Sequence, residues 1–167
     1  MSVEQLKEDI SKWITEWVSV HNEQLGHVPC PFAKQALLNN KISYATIRDT
    51  TSLESLIKLY AANGIPSEVF IVGMSKDFIS AENLSSLTKY VNKHILMPAN
   101  LVALEDHPND EEVINGVKMN QGTWALLLIQ SIDKINQASE ILKKQGYYDN
   151  WSQESYDDVV SWRFLKD

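Results

Sequence analysis

Between residues 42 and 104 the chain alternates short apolar runs with amphipathic stretches, and no other feature restricts its fold as much. Ile42 to Arg48 has the β-branched and aromatic alternation of a strand. Thr51 and Glu54 then fit a capping box ahead of Leu53, Leu56, Ile57 and Tyr60, a helical face stopped by Gly64 and Pro66. Val69 to Met74 is a continuous apolar run of strand length. Ser80 opens a second helix carrying Leu84, Leu87, Val91 and Ile95, closed near Met97-Pro98, and Leu101 to Leu104 is a third strand. Strands alternating with helices imply parallel crossovers.

The flanks modify that pattern. Leu6, Ile10, Trp13, Ile14, Trp17, Val18 and His21 form the apolar face of a helix over Gln5 to Asn22, with Ser2 and Gln5 as its capping box. Pro31 opens a short helix ending at Asn39-Asn40. After Leu104, a polar segment from Glu105 to Gly122 separates the third strand from a fourth, Thr123 to Gln130. No helix lies between them, so these two strands are expected to be antiparallel. Ser131 caps a helix with Ile132, Ile135, Ala138, Ile141 and Leu142, ended by Gly146, and Tyr156 to Trp162 closes the chain with a short helix. No repeat or linker divides residues 1–167. The expected fold is a single α/β domain, with a four-stranded mixed sheet, helices on its faces and an N-terminal amphipathic helix.

Charge narrows the function. A net charge of −7 argues against nucleic acid, because phosphate binding needs clustered Lys and Arg, and only Lys143-Lys144 are adjacent. The longest apolar run, Trp124 to Ile129, is too short to span a bilayer. The start, Met-Ser-Val-Glu-Gln-Leu-Lys-Glu-Asp, lacks the basic and apolar regions of a signal peptide, and a lone cysteine makes no internal disulfide. A cytoplasmic protein is expected.

Three clusters are candidates for chemistry. In His27-Val-Pro-Cys-Pro-Phe-Ala-Lys34 the only cysteine, Cys30, precedes what reads as a helix start, with Lys34 one turn on. A helix dipole and an ammonium would favour the thiolate; equally, Cys30 reads as a small buried hydrophobe. In Glu105-Asp-His-Pro-Asn-Asp110, an imidazole and three carboxylates stand where the third strand ends, the place where open α/β sheets put ligands. A solvated turn is the bland alternative. In Asn115-Gly-Val-Lys-Met-Asn-Gln-Gly122, two glycines bracket Lys118 and Asn120, which could wrap an anion or form a lid over the preceding loop. His27, Cys30 and His107 with Glu105 or Asp106 have ligand types that suit zinc or iron, but no H-x-x-x-H or C-x-x-C pair fixes two of them. Whether a metal or another cofactor is used stays open.

Two resemblances involve the cysteine. Cys30-Pro31-Phe32-Ala33 followed by His107-Pro108 resembles an uncharacterised bacterial family, known only as a domain of unknown function, with a Leu-Cys-Pro-Phe-Ala motif and a later Phe-His-Pro motif. The resemblance covers roughly residues 5 to 115 and departs at Val28-Pro29 and Glu105-Asp106; it implies that Cys30 and His107 share one site. Cys-Pro-Phe-Ala followed by Lys34 also resembles the active-site start of omega-class glutathione transferases, which implies a thioredoxin fold and thiol chemistry. That fold places a strand directly before the cysteine, where this chain reads as helix.

The leading expectation is a small-molecule enzyme or ligand binder. Cys30 would serve as nucleophile or ligand and His107 as general base or co-ligand, oriented by Glu105 or Asp106, while Lys34, Lys118 and Asn120 would bind a ligand or cofactor. A glutathione-dependent thiol transferase is one alternative. The other is a noncatalytic module that binds a protein partner through the aromatic, acidic tail around Tyr147, Tyr148 and Trp151.

Overall fold

Leu6, Ile10, Ile14 and Val18 stand four residues apart, and all four are buried. On a helix of 3.6 residues per turn such a seam drifts by about 40° per step. In the computed structural model, which describes residues 2–164, the helix widens to counter that drift: α1 spans Val3–Trp13 and passes into a π-helical turn over Ile14–Val18. The Ser2 hydroxyl caps α1 by accepting from the Gln5 N–H, while the Gln5 side chain reaches forward to Asp9 instead of closing the capping box. The expected single helix to Asn22 ends at Val18 because the wider turn gives way to a loop, closed by an isolated bridge between Asn22 and His27.

Next come α2 (Ala33–Leu38), β1 (Ile42–Thr46), α3 (Thr50–Asn63), β2 (Val69–Met74) and α4 (Ala81–Val91). The α3 N-cap is Asp49, whose carboxylate accepts from the Ser52 N–H and hydroxyl, so the cap lies two residues before the expected Thr51. The α4 N-cap is Ser80, as expected. Buried residues on α4 also recur at intervals of four, through Leu84, Thr88, Asn92 and Leu96, and this helix too widens into a π turn, Asn92–Leu96. After β3 (Leu101–Asp106) come a small hairpin, β4 (Val113–Ile114) and β5 (Val117–Lys118), then β6 (Ala125–Ser131), α5 (Ile132–Lys144) and α6 (Gln153–Val159).

The main sheet has the order β1-β2-β6-β3. β1 and β2 are parallel, and β6 runs antiparallel to both β2 and β3. The expected mixed four-stranded sheet forms, and so does the antiparallel pair. Because β6 lies between β2 and β3, those two strands run the same way without touching, and the carboxyl ends of β1, β2 and β3 share one edge with the amino end of β6.

Strand alternation separates two cores. Phe70, Val72 and Met74 of β2 and Ala125, Leu127 and Ile129 of β6 face α3 and α4, in a cluster with Leu53, Ile57, Leu84 and Leu96. Ile71 and Leu126 face α1, meeting Leu6, Ile10, Ile14 and Trp124. On that side Gly73 leaves room for Leu6: a Cβ at Gly73 would stand 2.6 Å from Leu6 Cδ1. Asn92, at the start of the second π turn, closes the outer edge of β3, donating to the Ala103 carbonyl (2.9 Å) and accepting from the Ala103 N–H (2.7 Å). Its side chain substitutes for a fifth strand. No helix among the described residues is long and apolar enough to cross a membrane.

Candidate functional site

The last two residues of β3 point to opposite faces of the sheet. Glu105 turns toward α4, where the Thr88 hydroxyl donates to Oε2 at 3.1 Å and Ser85 adds a second hydrogen bond. Asp106 turns toward the end of α1. It is 8% exposed; its Oδ1 accepts from Asn120 Nδ2 at 2.6 Å, and its Oδ2 has no hydrogen-bond partner. Burial pushes the Asp106 carboxyl up to about 6, against the opposing bond from Asn120. Asn120 is 4% exposed, and its Oδ1 is unpartnered as well. Near the Asp106 oxygen lies an indole N–H, also without a partner: the position a Cβ on Gly122 would take is 3.0 Å from Asp106 Oδ2 and 3.6 Å from Trp13 Nε1.

A small hairpin leads into Asn120. Asn115 and Gly116 both have positive φ, 51° and 80°, as a two-residue Asn-Gly hairpin turn between β-branched neighbours requires. The glycine read as part of an anion cradle thus serves the turn. Pairing of Val113 with Lys118 and a bond from the Met119 N–H to the Glu112 carbonyl set Glu112 next to the chain entering Asn120. Burial pushes the Glu112 carboxyl up to about 7, and among the described residues the charges that act on it are carboxylates: Asp110, Asp106, Glu105 and Asp158.

His107 is 1% exposed, with both ring nitrogens engaged by backbone. Nδ1 accepts from the Asn109 N–H at 3.0 Å, which leaves Nε2 to donate to the Ile79 carbonyl at 2.7 Å, with Lys76 O at 3.2 Å. Neither Glu105 nor Asp106 is among these partners. The imidazole ties the 107–109 turn to the segment that follows β2, and its geometry is that of a brace. On the α4 side of the turn, Glu82, Ser85, Lys89, Asn109, Asp110 and Glu111 line an open polar groove of about 510 Å³.

Cys30 has different neighbours. Pro31 and Phe32 form a turn, so the following helix begins only at Ala33 and has six residues. Burial raises the thiol above its ordinary value, and the weaker opposing effect comes from the Phe32 and Ala33 backbone. The expected thiolate is thus opposed: burial outweighs the two backbone groups that favour it, and exposed Lys34 is not among the groups acting on the sulfur. The Cys30 N–H donates to the Val18 carbonyl, and its side chain packs against the cluster that holds Leu6, Ile10, Ile14 and Val18. Over this loop lies an aromatic clasp. The Tyr147 hydroxyl shares its one hydrogen between the Val28 and Pro29 carbonyls, both at 2.7 Å, its ring lies 3.9 Å from that of His27, and the Trp151 indole donates to His27 Nε2 at 3.0 Å. Tyr148 packs edge-on against both Tyr147 and Trp151.

The hydrogen bonds given for Cys30 and for His107 go to different residues, Val18 for the first and Ile79, Lys76 and Asn109 for the second. Asn120 and Lys118 do reach the 105–110 loop, Asn120 through Asp106 and exposed Lys118 through the Pro108 carbonyl at 3.0 Å. Trp13 and Glu112 escape the sequence reading as site residues. The run Asp110-Glu111-Glu112 and the Asn-Gly turn were signals for Glu112, whereas nothing local marks Trp13, whose indole reads as one more apolar face residue. Among the described residues, no three of His, Cys, Asp and Glu are grouped so as to hold a metal ion. No family model matches the chain, and no curated protein or solved structure is significantly similar to it.

Proposed function

We propose that this protein is a cytoplasmic small-molecule enzyme or binder that works at the carboxyl edge of its sheet, with Asp106 as the central group. The observation that carries the reading is the buried, unpartnered Asp106 Oδ2, held in place through Oδ1 by Asn120. Leaving a buried carboxylate oxygen unsatisfied costs stability, about 1–3 kcal/mol or more for a charged group, and such a cost is characteristic of sites whose business is with a ligand. A carboxyl raised to about 6 exchanges protons readily near neutral pH. In this reading Asp106 accepts a donor or a proton from the ligand, Asn120 and Trp13 orient it, and His107 braces the turn beside them as a positioning residue. Acid-lined surroundings favour ligands that donate hydrogen bonds or carry positive charge, and disfavour nucleic acid.

Carboxyl-carbon NMR across pH 3–9 tests this reading, together with the Trp13 indole signal recorded while methylguanidinium, acetamide or imidazole is added at millimolar concentration. The Asp106 carbon should titrate near 6, and at least one probe should shift the indole signal, with the shift abolished in Asp106→Asn. An Asp106 midpoint near 4, the ordinary carboxylate range, or an indole signal indifferent to all three probes would remove the reading.

A further inference from the structure

The two edges of the main sheet are finished differently. Asn92 occupies the outer side of β3, whereas β1, the other edge strand, bonds only to β2. Bonds from the Val69 N–H to the Lys41 carbonyl and from the Ile47 N–H to the Gly73 carbonyl fix the ladder, so the odd-numbered residues of β1 face β2. The N–H and carbonyl groups of Ile42, Tyr44 and Thr46 therefore point away from the sheet, and none of them has a hydrogen-bond partner among the described residues. Edge strands are ordinarily guarded by Lys, Pro or a bulge. The β1 sequence Ile-Ser-Tyr-Ala-Thr contains no charge and no proline, and its register with β2 is unbroken. Beside this edge runs an open groove of about 410 Å³, lined by Ile47 and by Thr51, Ser52, Ser55, Leu56 and Leu59 on one flank of α3. That flank is turned away from α4, because Lys58, on the opposite flank, interacts with Tyr90 of α4. The groove too carries no charge, and Leu59 is 53% exposed.

We infer that this side of the molecule docks a second copy of the chain, with the two β1 strands paired antiparallel about Tyr44. Such pairing sets Tyr44 against Tyr44 and Ile42 against Thr46, and each opposed pair exchanges two hydrogen bonds, about six in all. Every outward group of β1 then has a partner, as a self-complementary two-fold interface requires. The two-fold axis stands perpendicular to the sheet, so both copies of α3 lie on the same face, groove to groove, and cover Leu59. Three observations select a second copy over another occupant. A single added strand would satisfy the edge and leave the α3 groove and Leu59 open. Edge and groove are free of charge in a chain of net charge −7, so two like-charged copies meet there without burying a carboxylate. Asn92 blocks the β3 edge, so the sheet closes at two copies instead of growing into a filament.

The test is analytical sedimentation of the whole chain between about 1 and 200 μM, with amide hydrogen exchange at both ends of that range. The mass should rise from one chain to two and no further. The amides of Ile42, Tyr44 and Thr46 should gain protection as concentration rises, while those of Ser43 and Ala45, bonded to β2, should be protected throughout. Thr46→Pro removes an outward N–H and leaves the ladder to β2 intact, and Leu59→Lys puts a charge into the groove. Each should weaken association at least about tenfold; the second, at an exposed position, keeps the test intact should the first fail to fold. A chain that stays single at the highest concentration, growth beyond two copies, or a dimer unchanged in either folded variant would overturn the inference. So would amides 42, 44 and 46 protected equally at both concentrations, the result of a strand from elsewhere already occupying the edge.

Discussion

The two faces of the central sheet are built from the same strands, yet they are finished differently. The α3/α4 face is an apolar core of Phe70, Val72, Met74, Leu127 and Ile129 against Leu53, Ile57 and Leu84, and its one carboxylate at the strand end, Glu105, is satisfied by Thr88 and Ser85. The α1 face is smaller and built with tryptophan, and the neighbouring carboxylate, Asp106, keeps an oxygen without a partner. One residue of strand register therefore separates a carboxylate that is hydrogen-bonded within the scaffold from one that keeps an oxygen without a partner. The difference teaches that the larger apolar core and the unpartnered carboxylate lie on opposite sides of the sheet.

The most severe way to break this comparison is to truncate neighbouring leucines of β6. Leu127 is fully buried on the α3/α4 face, and Leu127→Ala should cost about 3–5 kcal/mol in urea unfolding. Leu128, on the opposite face and only partly buried, should cost about 1–2 kcal/mol. Equal losses would mean that the two cores contribute alike.

A second test sharpens the contrast at the strand end. Asp106 is buried with its carboxyl raised from 3.8 to about 6, so the folded state holds this proton more tightly than the unfolded chain. The stabilisation that the bound proton confers is complete below pH 4 and lost as pH rises through 6, a swing on the order of 3 kcal/mol. Asp106→Asn should therefore stabilise the protein at pH 8 by up to about 3 kcal/mol and have little effect at pH 4, as read from unfolding curves at both values. A destabilised variant at pH 8 would mean that Asp106 has a partner in solution.

The smallest effect concerns the contact between β2 and α1. Gly73→Ala pushes a methyl into Leu6 and should cost about 1–2 kcal/mol. Combined with Leu6→Val, it should show a coupling energy of at least about 0.5 kcal/mol in a double-mutant cycle. Strict additivity would separate the two residues.

Legibility in the sequence followed the range of the interactions. Val69–Met74, the Ser80 and Ser131 caps and the antiparallel pairing of the last strand could all be read, because each depends on a few neighbouring residues. The Asp49 cap was misread by two positions, because Asp49 and Thr51 are both good caps and only the backbone path chooses between them. The π turns were not seen at all: a seam repeating every four residues fits an ordinary helix locally, and the mismatch accumulates only when the helix must lie flat on a sheet.

Periodicity and capping chemistry determined, from the sequence alone, that the chain is an α/β domain with a mixed sheet, and placed a polar loop with His107 at a strand end. Tertiary structure alone decided what those polar residues do. It gave both His107 nitrogens to backbone, set Cys30 partly buried against an apolar cluster, and turned Asp106 rather than Glu105 toward Trp13 and Asn120. The reason is physical: a secondary-structure pattern records which side chains avoid water, whereas a hydrogen bond left unmade depends on atoms brought together from residues 13, 106, 120 and 122, and no local pattern contains that distance.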